Sequence, residues 1–265
     1  MTITNKLPAL SNSSFWRYFT FTALYFAEGL QMGLLFVGIP AWMAVNNKTP
    51  TEIGSVAFAC ALPWTFKFVV APLMDRYTIL PMGRKRPWVI AAQIGLVASL
   101  VMLAYVPQPL SNLKVFMATI FVVSMFGAIQ DGATDGMAVD IVPAAEQART
   151  NGFMGGARMI GSSISLALTS WLMTVYNFTI ATLVLTTVIG LITLVPILLR
   201  EQQGEKILPW TAGATSPLGK RMQVTSWSAI ISSLVSLFRL KNSLLVSLLM
   251  FITMYRRLAK ATPVV

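Results

Sequence analysis

The chain has 265 residues, of which 55% are hydrophobic and 11% charged, and its formal net charge is +11. Soluble globular domains carry about 25% charged residues, so this composition excludes an ordinary soluble domain and indicates a chain that lies in a lipid bilayer. The basic residues lie in a few polar gaps between apolar runs, and we therefore expect no nucleic-acid partner. With one cysteine and no histidine, we expect no intrachain disulfide, no His- or Cys-based metal site and no cofactor.

Six apolar stretches are long enough to cross a membrane, because a hydrocarbon core of about 30 Å takes about 20 helical residues. In chain order, the predicted spans cover residues 18–45, 53–74, 87–106, 114–142, 151–175 and 178–199. We therefore expect an all-α membrane protein in which residues 1–199 form a six-helix transmembrane bundle.

The basic residues predict which side of the membrane each connection occupies. If the N-terminus is cytoplasmic, thirteen Lys and Arg residues fall inside and two fall outside, which is the bias of the positive-inside rule. The inner set is Lys6, Arg17, Arg76, Arg84, Lys85, Arg86, Arg149, Arg200, Lys206, Lys220, Arg221, Arg239 and Lys241, and the outer set is Lys48 and Lys114. We expect an integral protein of a bacterial inner (plasma) membrane with a cytoplasmic N-terminus.

The region after the sixth span differs in composition. Residues 200–241 are polar and rich in Gly and Pro, which predicts a cytoplasmic linker. Within it, residues 227–238 are either an amphipathic helix on the inner leaflet or plain linker. Residues 242–265 contain an apolar run too short to span, which predicts the start of an incomplete seventh transmembrane helix.

Five ionisable residues fall inside predicted spans, where the cost of holding a charge makes each one a candidate functional group. They are Glu28, Lys67, Asp131, Asp135 and Arg158. At about 1.5 Å of rise per residue, all five lie in the inner half of the membrane, toward its middle. They are either buried ion pairs that hold helices in register, or the lining of a watery cavity that binds protons and an anionic substrate. Five charges in so few helices favour the cavity.

Their pairing suggests how substrate and proton could be coupled. Arg158 is expected at the depth of Asp135, and Lys67 is expected to reach Glu28. A nearby cation favours the ionised form of a carboxylate. Anything that drew Arg158 away from Asp131 or Asp135 would therefore favour protonation of that carboxylate.

Trp64 is a further candidate contact for substrate. It lies three residues before Lys67, so the two side chains share a helix face. Packing inside the bundle explains Trp64 equally well.

The connection after the second span has the densest charge in the chain. It contains Asp75, Arg76, Gly83, Arg84, Lys85 and Arg86. One interpretation is an anchor that obeys the positive-inside rule. The other is a gate, in which Asp75 exchanges partners with the arginines.

Asp75-Arg76-Tyr77 followed by Gly83-Arg84-Lys85-Arg86 resembles the loop 2–3 signature of the major facilitator superfamily. Residues 67–77, and residues 128–146 with Gln130 and Asp131, are similar to the AmpG-type muropeptide permeases and the related acetyl-CoA transporters. Arg158 falls where that family has an arginine in its fifth helix, and Gln130, next to Asp131, is a further candidate for binding substrate or proton. The resemblance covers residues 20–200 or so.

The resemblance implies twelve helices in two halves, alternating access, and proton-driven import of anhydro-muropeptides. It also implies that this chain is the N-terminal half, a 3+3 inverted repeat, and that the C-terminal half is missing. We therefore expect a proton-coupled importer of an anionic sugar-peptide that uses the proton gradient and is not an enzyme. The alternatives are an uncoupled facilitator of another solute, or a truncated membrane protein that does not transport.

Overall fold

The computed structural model describes residues 9–221 and, beyond them, residues 223, 226–228, 230, 232, 236 and 245. The chain divides into two units, Met1–Gln223 and Val224–Val265, and the described structure concerns the first. Of the predicted interfacial helix over 227–238, seven of the twelve residues lie outside the described ones, and of the predicted incomplete seventh span all but Leu245 do.

Helices make up nearly all of the regular structure over residues 9–221. The long helices are α1 (Ser14–Val45), α2 (Pro50–Arg76), α3 (Arg86–Ala104), α4 (Leu113–Ile141), α5 (Ala144–Val175) and α6 (Phe178–Leu198). A short helix, α7 (Pro217–Arg221), follows. No strand forms within this range, where the sole β-type pairing is an isolated bridge between Ala9 and Arg200.

Five of the helices, α1 to α4 and α6, are long and apolar enough to cross a membrane. The fifth predicted span lies in α5, which has 32 residues but is not among these five. Glycine, serine and threonine dilute the apolar residues of α5, as in the segment Gly161-Ser162-Ser163. Over residues 9–221, the structure is therefore all-α with five candidate spans.

Two helices are locally irregular. Helix α1 widens into a π-helix over Gly33–Gly38. Helix α2 breaks at Phe66, between the segments Pro50–Thr65 and Lys67–Arg76. Pro63 lies just before the break, and a proline inside a helix removes one backbone donor and crowds the preceding turn. As a result, Lys67 begins a new helical segment deep inside the second span.

Glycines bring α1 and α5 into backbone contact. A Cβ added to Gly29 would lie 2.3 Å from the carbonyl oxygen of Arg158, and one added to Gly161 would lie 2.5 Å from that of Phe26. Such close approach is what small residues permit between helices in a membrane. The contact fixes Arg158 beside the turn of α1 that carries the acidic residue next to Gly29.

The apolar core has two parts. One contains Leu34 of α1 and Val123 of α4, and the other contains Leu24 of α1 and Ala133 of α4. Asp131 lies between Val123 and Ala133 in the sequence of α4. Glu28 likewise lies between Leu24 and Leu34 in α1, so Glu28 and Asp131 are buried where the two apolar clusters meet.

One end of the bundle carries the connections from α2 to α3 and from α4 to α5, together with residues 9–13 and 199–221. We call it the basic end. There the chain before α1 pairs with the chain after α6, since the amide of Leu10 donates to the carbonyl oxygen of Arg200 at 2.8 Å. Arg17 forms an ion pair with Glu146 at 2.8 Å, which ties α1 to the start of α5.

Candidate functional site

The five charged residues predicted inside the spans lie together between α1, α2, α4 and α5, and we call them the charged cluster. The Nη2 atom of Arg158 lies 2.8 Å from Oε1 of Glu28 and 2.7 Å from Oδ1 of Asp131. The Nζ atom of Lys67 contacts Oδ2 of Asp131 and lies 3.1 Å from Oδ2 of Asp135. Each cation is therefore shared by two carboxylates, and Asp131 is bound by both cations.

The pair of Arg158 with Asp131 agrees with the predicted coupling, whereas two other pairs differ from the predicted ones. Arg158 was expected beside Asp135, but the close contact of its backbone with Gly29 places it next to Glu28. Lys67 was expected to reach Glu28, but it lies along α4, where its Cε is 3.5 Å from the position of a Cβ on Gly132. Depth along a helix predicted which residues could meet, and helix packing decided which ones do.

The cluster is sealed on one side and accessible on the other. The side chain of Glu28 is 0% exposed and that of Asp131 is 3% exposed, whereas that of Asp135 is 45% exposed. Lys67 and Arg158 are intermediate, with about a third of each side chain accessible. A ligand could therefore reach both cations and Asp135, while Glu28 and Asp131 form the floor.

A cavity adjoins the accessible side. It has a volume of about 420 Å³ and lies between the ends of α4 and α5 nearest the basic end. Asp135 forms part of its wall, together with Val139, Thr150, Asn151 and Met154. The charged cluster thus has a route that leads away from the interior of the bundle.

Tyr25 belongs to the site, although the sequence analysis did not select it. Its hydroxyl donates to Oδ1 of Asp135, and the guanidinium carbon of Arg158 lies 4.6 Å from the centre of its ring. A cation over an aromatic face is attracted by the ring. The signal that could have identified Tyr25 is its position three residues before Glu28, which places both on one face of α1.

Gln130 and Trp64 were predicted to contact substrate, but they do not join the charged cluster. Gln130 is buried and donates from Nε2 to the carbonyl oxygen of Leu24 at 3.2 Å. One residue along a helix is a rotation of about 100°, so it points toward α1. The indole N–H of Trp64 donates to Oγ of Ser124 at 2.9 Å, which links α2 to α4.

The predicted gating loop contains a network of ion pairs at the basic end. Asp75 Oδ1 lies 2.7 Å from Nη2 of Arg84 and 2.6 Å from Nζ of Lys85. Arg84 also pairs with Asp140 of α4 at 2.9 Å. The loop therefore joins the end of α2 to the end of α4, and exchange of these partners during gating stays a prediction.

Arg86 was predicted as part of the gate, but it has another role in this structure. It is 1% exposed, and its guanidinium donates to five backbone carbonyls at 2.7–3.2 Å. The acceptors are Met82, Pro196, Ile197, Lys206 and Ile207. Arg86 satisfies the carbonyls that remain free at the end of α6 and joins them to the following chain.

Gly83 has a conformational role in the same loop. Its φ of +109° is in the region that favours glycine, and an added Cβ would lie 2.7 Å from Cδ of Glu201. That carboxylate accepts from the backbone N–H of Arg84 at 2.7 Å, of Lys85 at 2.8 Å, and of Arg86. Glu201 therefore caps the start of α3, although burial raises its pKa.

Arg76 stands apart from the pairs that Asp75 makes. Its guanidinium carbon lies 5.6 Å from the centre of the Tyr77 ring. Among the described residues it forms no ion pair. The loop signature thus separates into three parts: the pairs of Asp75, the buried Arg86, and an unpaired Arg76.

A family model described as Major Facilitator Superfamily matches residues 21–262. The chain belongs to the Major Facilitator Superfamily. The resemblance that the loop 2–3 signature suggested is thereby confirmed, and membership in a superfamily of facilitators indicates a transporter rather than an enzyme.

Curated relatives narrow the comparison within the superfamily. The chain is 32% identical to the anhydromuropeptide permease of Escherichia coli K12 over 149 residues, which are 56% of this chain and 30% of the permease. It is 28% identical to an uncharacterized protein of Haemophilus influenzae over 151 residues, 57% of this chain and 35% of that protein. It is 27% identical to a Rickettsia prowazekii protein named for AmpG transporters over 164 residues, 57% of this chain and 38% of that protein.

These relatives include AmpG-type permeases, as the motifs around Lys67 and Asp131 indicated. The chain spans about a third of the length of the curated relatives that it matches. The matched Major Facilitator Superfamily segment contains every member of the charged cluster and of the loop at the basic end.

Proposed function

We propose that the charged cluster is the solute- and proton-binding site of a proton-coupled importer, and that the solute is an anionic sugar-peptide like an anhydromuropeptide. The observation that supports this most strongly is the sharing of Lys67 and Arg158 among three carboxylates at the accessible edge of a buried site. The similarity to a named anhydromuropeptide permease supports the choice of solute.

The charge balance provides a mechanism for coupling. Three carboxylates and two cations leave one negative charge when all are ionised, so a single proton makes the cluster neutral. A net charge in a low-dielectric site is costly. Asp135 is the most accessible of the three carboxylates, so it is the one that a proton reaches first.

Binding of the solute and binding of the proton then depend on each other. An anionic group of the solute approaches Lys67 and Arg158 from the accessible side and competes with Asp131 and Asp135 for them. A carboxylate that loses its cation binds a proton more readily. Binding of the anion therefore favours protonation of the cluster, which is the linkage that symport requires.

The cluster works by alternating access within a larger assembly. We propose that α1 to α6 are six spans arranged as a 3+3 inverted repeat, with the N-terminus in the cytoplasm of a bacterial cell and the basic end facing inward. Solute sites of this superfamily lie near the bilayer midplane at a repeat interface. A second half, facing Lys67 and Asp135, would close the site from the other side.

Uptake measurements test the solute. The vesicles contain this chain, alone or with a C-terminal half from the E. coli relative. A proton gradient is imposed across their membrane, and labelled anhydromuropeptide is added outside. We expect the vesicles to accumulate anhydromuropeptide against its own concentration gradient, and to accumulate neither free sugar nor acetyl-CoA. Accumulation of one of those two compounds instead would overturn the choice of solute.

Asp135→Asn tests the coupling. This variant should lose gradient-driven accumulation but keep exchange of solute across the membrane, because the two cations remain. Glu52→Gln is the matched control, since Glu52 lies in the first turn of α2, outside the charged cluster, and this substitution should change neither accumulation nor exchange. Active accumulation in Asp135→Asn would disprove the assignment of the proton. Equilibration without accumulation in the unaltered chain would indicate an uncoupled facilitator.

A further inference from the structure

A second cavity lies on the bundle surface at the basic end, outside the charged cluster. Its volume is about 570 Å³, and it lies beside the last turn of α2 and the first turns of α3. Its wall includes Arg76, Tyr77, Thr78, Ile79, Trp88 and Ala91. Arg76 belongs to the predicted gating loop, and the other residues of this wall have no role in the proposed transport cycle.

Two polar atoms in this cavity have no partner. Nε of Arg76 and Oγ1 of Thr78 are shielded from solvent, and neither has a hydrogen-bond partner among the described residues. A buried polar group without a partner is unfavourable, and more so when the group is charged. Asp75 already binds Arg84 and Lys85, so Arg76 would have to compete with these two cations for that carboxylate.

Apart from Gln223, the rest of the wall is mainly apolar, and much of it faces outward. Tyr77 and Ile79 are each 55% exposed, and Ala91 is exposed one turn further into α3. The indole N–H of Trp88 donates to the carbonyl oxygen of Tyr77 at 2.7 Å, which holds the ring as one side of the cavity. The cavity therefore lies at the end of two spans, at the depth where tryptophan and arginine meet lipid headgroups.

We propose that this cavity binds the headgroup of an anionic phospholipid. Arginine is well suited to bind a phosphate through two parallel N–H groups, and the hydroxyl of Thr78 supplies another donor to the same group. The glycerol and upper acyl chain would lie along Ile79 and Ala91. A free phosphate ion would use the two donors but would leave the exposed apolar wall uncovered, so a lipid fits the site better.

Native mass spectrometry of the complete chain in detergent tests the site with phosphatidylglycerol as the probe. We expect one tightly bound phosphatidylglycerol. Arg76→Gln should weaken its binding at least about tenfold, since a hydrogen bond to a charged group contributes about 1.5–3 kcal/mol. Thr78→Val keeps the shape of the side chain and should weaken binding by about two- to tenfold.

Arg149→Gln is the matched control, because it removes an exposed cation from the same end of the bundle but outside the cavity. It should leave the tight lipid in place. Equal loss in Arg149→Gln and Arg76→Gln would show that general charge attracts the lipid and would overturn the proposal. So would equal binding of the matching diacylglycerol, which lacks phosphate, or full displacement of the lipid by millimolar inorganic phosphate.

Circular dichroism and thermal melting verify that each variant folds. If Arg76→Gln does not fold, Thr78→Val decides the question, because unchanged affinity in a folded Thr78→Val chain contradicts the proposed donor pair. These measurements need no transport activity, so their outcome is independent of the proposed importer.

Discussion

One nitrogen atom of Arg158, Nη2, lies within 3 Å of carboxylates from two other helices, 2.8 Å from Glu28 of α1 and 2.7 Å from Asp131 of α4. Glu28 is fully buried, and Arg158 is the cation that approaches it within the described structure. The stability of the bundle and the chemistry of the site therefore depend on the same contact.

Arg158→Gln should destabilise the folded chain by at least about 2 kcal/mol, because removing one partner of a buried ion pair leaves the other charge uncompensated. Adding Glu28→Gln to that variant should restore part of the loss, since the buried group is then neutral. Denaturant unfolding of the wild type, both single variants and the double variant in detergent gives the coupling energy. Additive losses would show that the two side chains do not interact.

Gly29→Ala should destabilise the chain by about 1–3 kcal/mol, the usual cost of adding a methyl group to a packed contact. The added Cβ would lie 2.3 Å from the carbonyl oxygen of Arg158, so α1 and α5 would have to separate. Gly156→Ala is the matched control in α5, because nothing lies within 4 Å of its Cβ position. Thermal melting should show a large decrease in unfolding temperature for Gly29→Ala, with little change or a slight increase for Gly156→Ala.

Arg86→Lys should destabilise the chain by about 2–3 kcal/mol although the charge is kept, because an ammonium group cannot reach five carbonyls as a guanidinium fork does. Arg149→Lys, at an exposed position, should have almost no effect. Thermal melting of the two variants measures the difference. A melting temperature unchanged in Arg86→Lys would mean that the carbonyls at the end of α6 do not need this side chain.

The chain after α6 should make stability depend on pH. Burial raises the pKa of Glu205 to about 7, whereas the same group in an unfolded chain titrates near 4.5. Between these values the folded chain binds a proton that the unfolded chain does not, so the free energy of unfolding falls as pH rises. The unfolding temperature should therefore be lower at pH 8 than at pH 5.

Glu205→Gln should reduce this pH dependence, because the amide does not titrate, whereas Glu201, whose pKa is also raised by burial, still titrates in the variant. Glu52→Gln is the control, since it replaces a carboxylate in the first turn of α2, where Glu52 contacts Thr49 and Lys48, and leaves the chain after α6 unchanged. An identical pH dependence in Glu205→Gln and the unaltered chain would show that another group is responsible.

Several features of the site could be predicted because they depend on the free energy of placing a charge within a single apolar segment. A charge within an apolar run of about 20 residues is expensive, so Glu28, Lys67 and Asp131 were selected without knowledge of the fold. Tyr25 was missed because an uncharged side chain costs less in a span than a charge, so that only its position on the helix face of Glu28 marks it.

The sequence by itself determined that the chain is helical and lies in a membrane, where most spans begin and end, and which ionisable residues require an explanation. These follow from hydrophobic length and from the cost of a charge in lipid, and both act on one segment at a time. The tertiary structure alone decided that Arg158 meets Glu28 rather than Asp135, that Gln130 turns away from the cluster, and that Arg86 is a structural residue. Those outcomes depend on the rotation and separation of whole helices. Backbone contacts between residues far apart in the chain, such as that of Gly29 with Arg158, determine both.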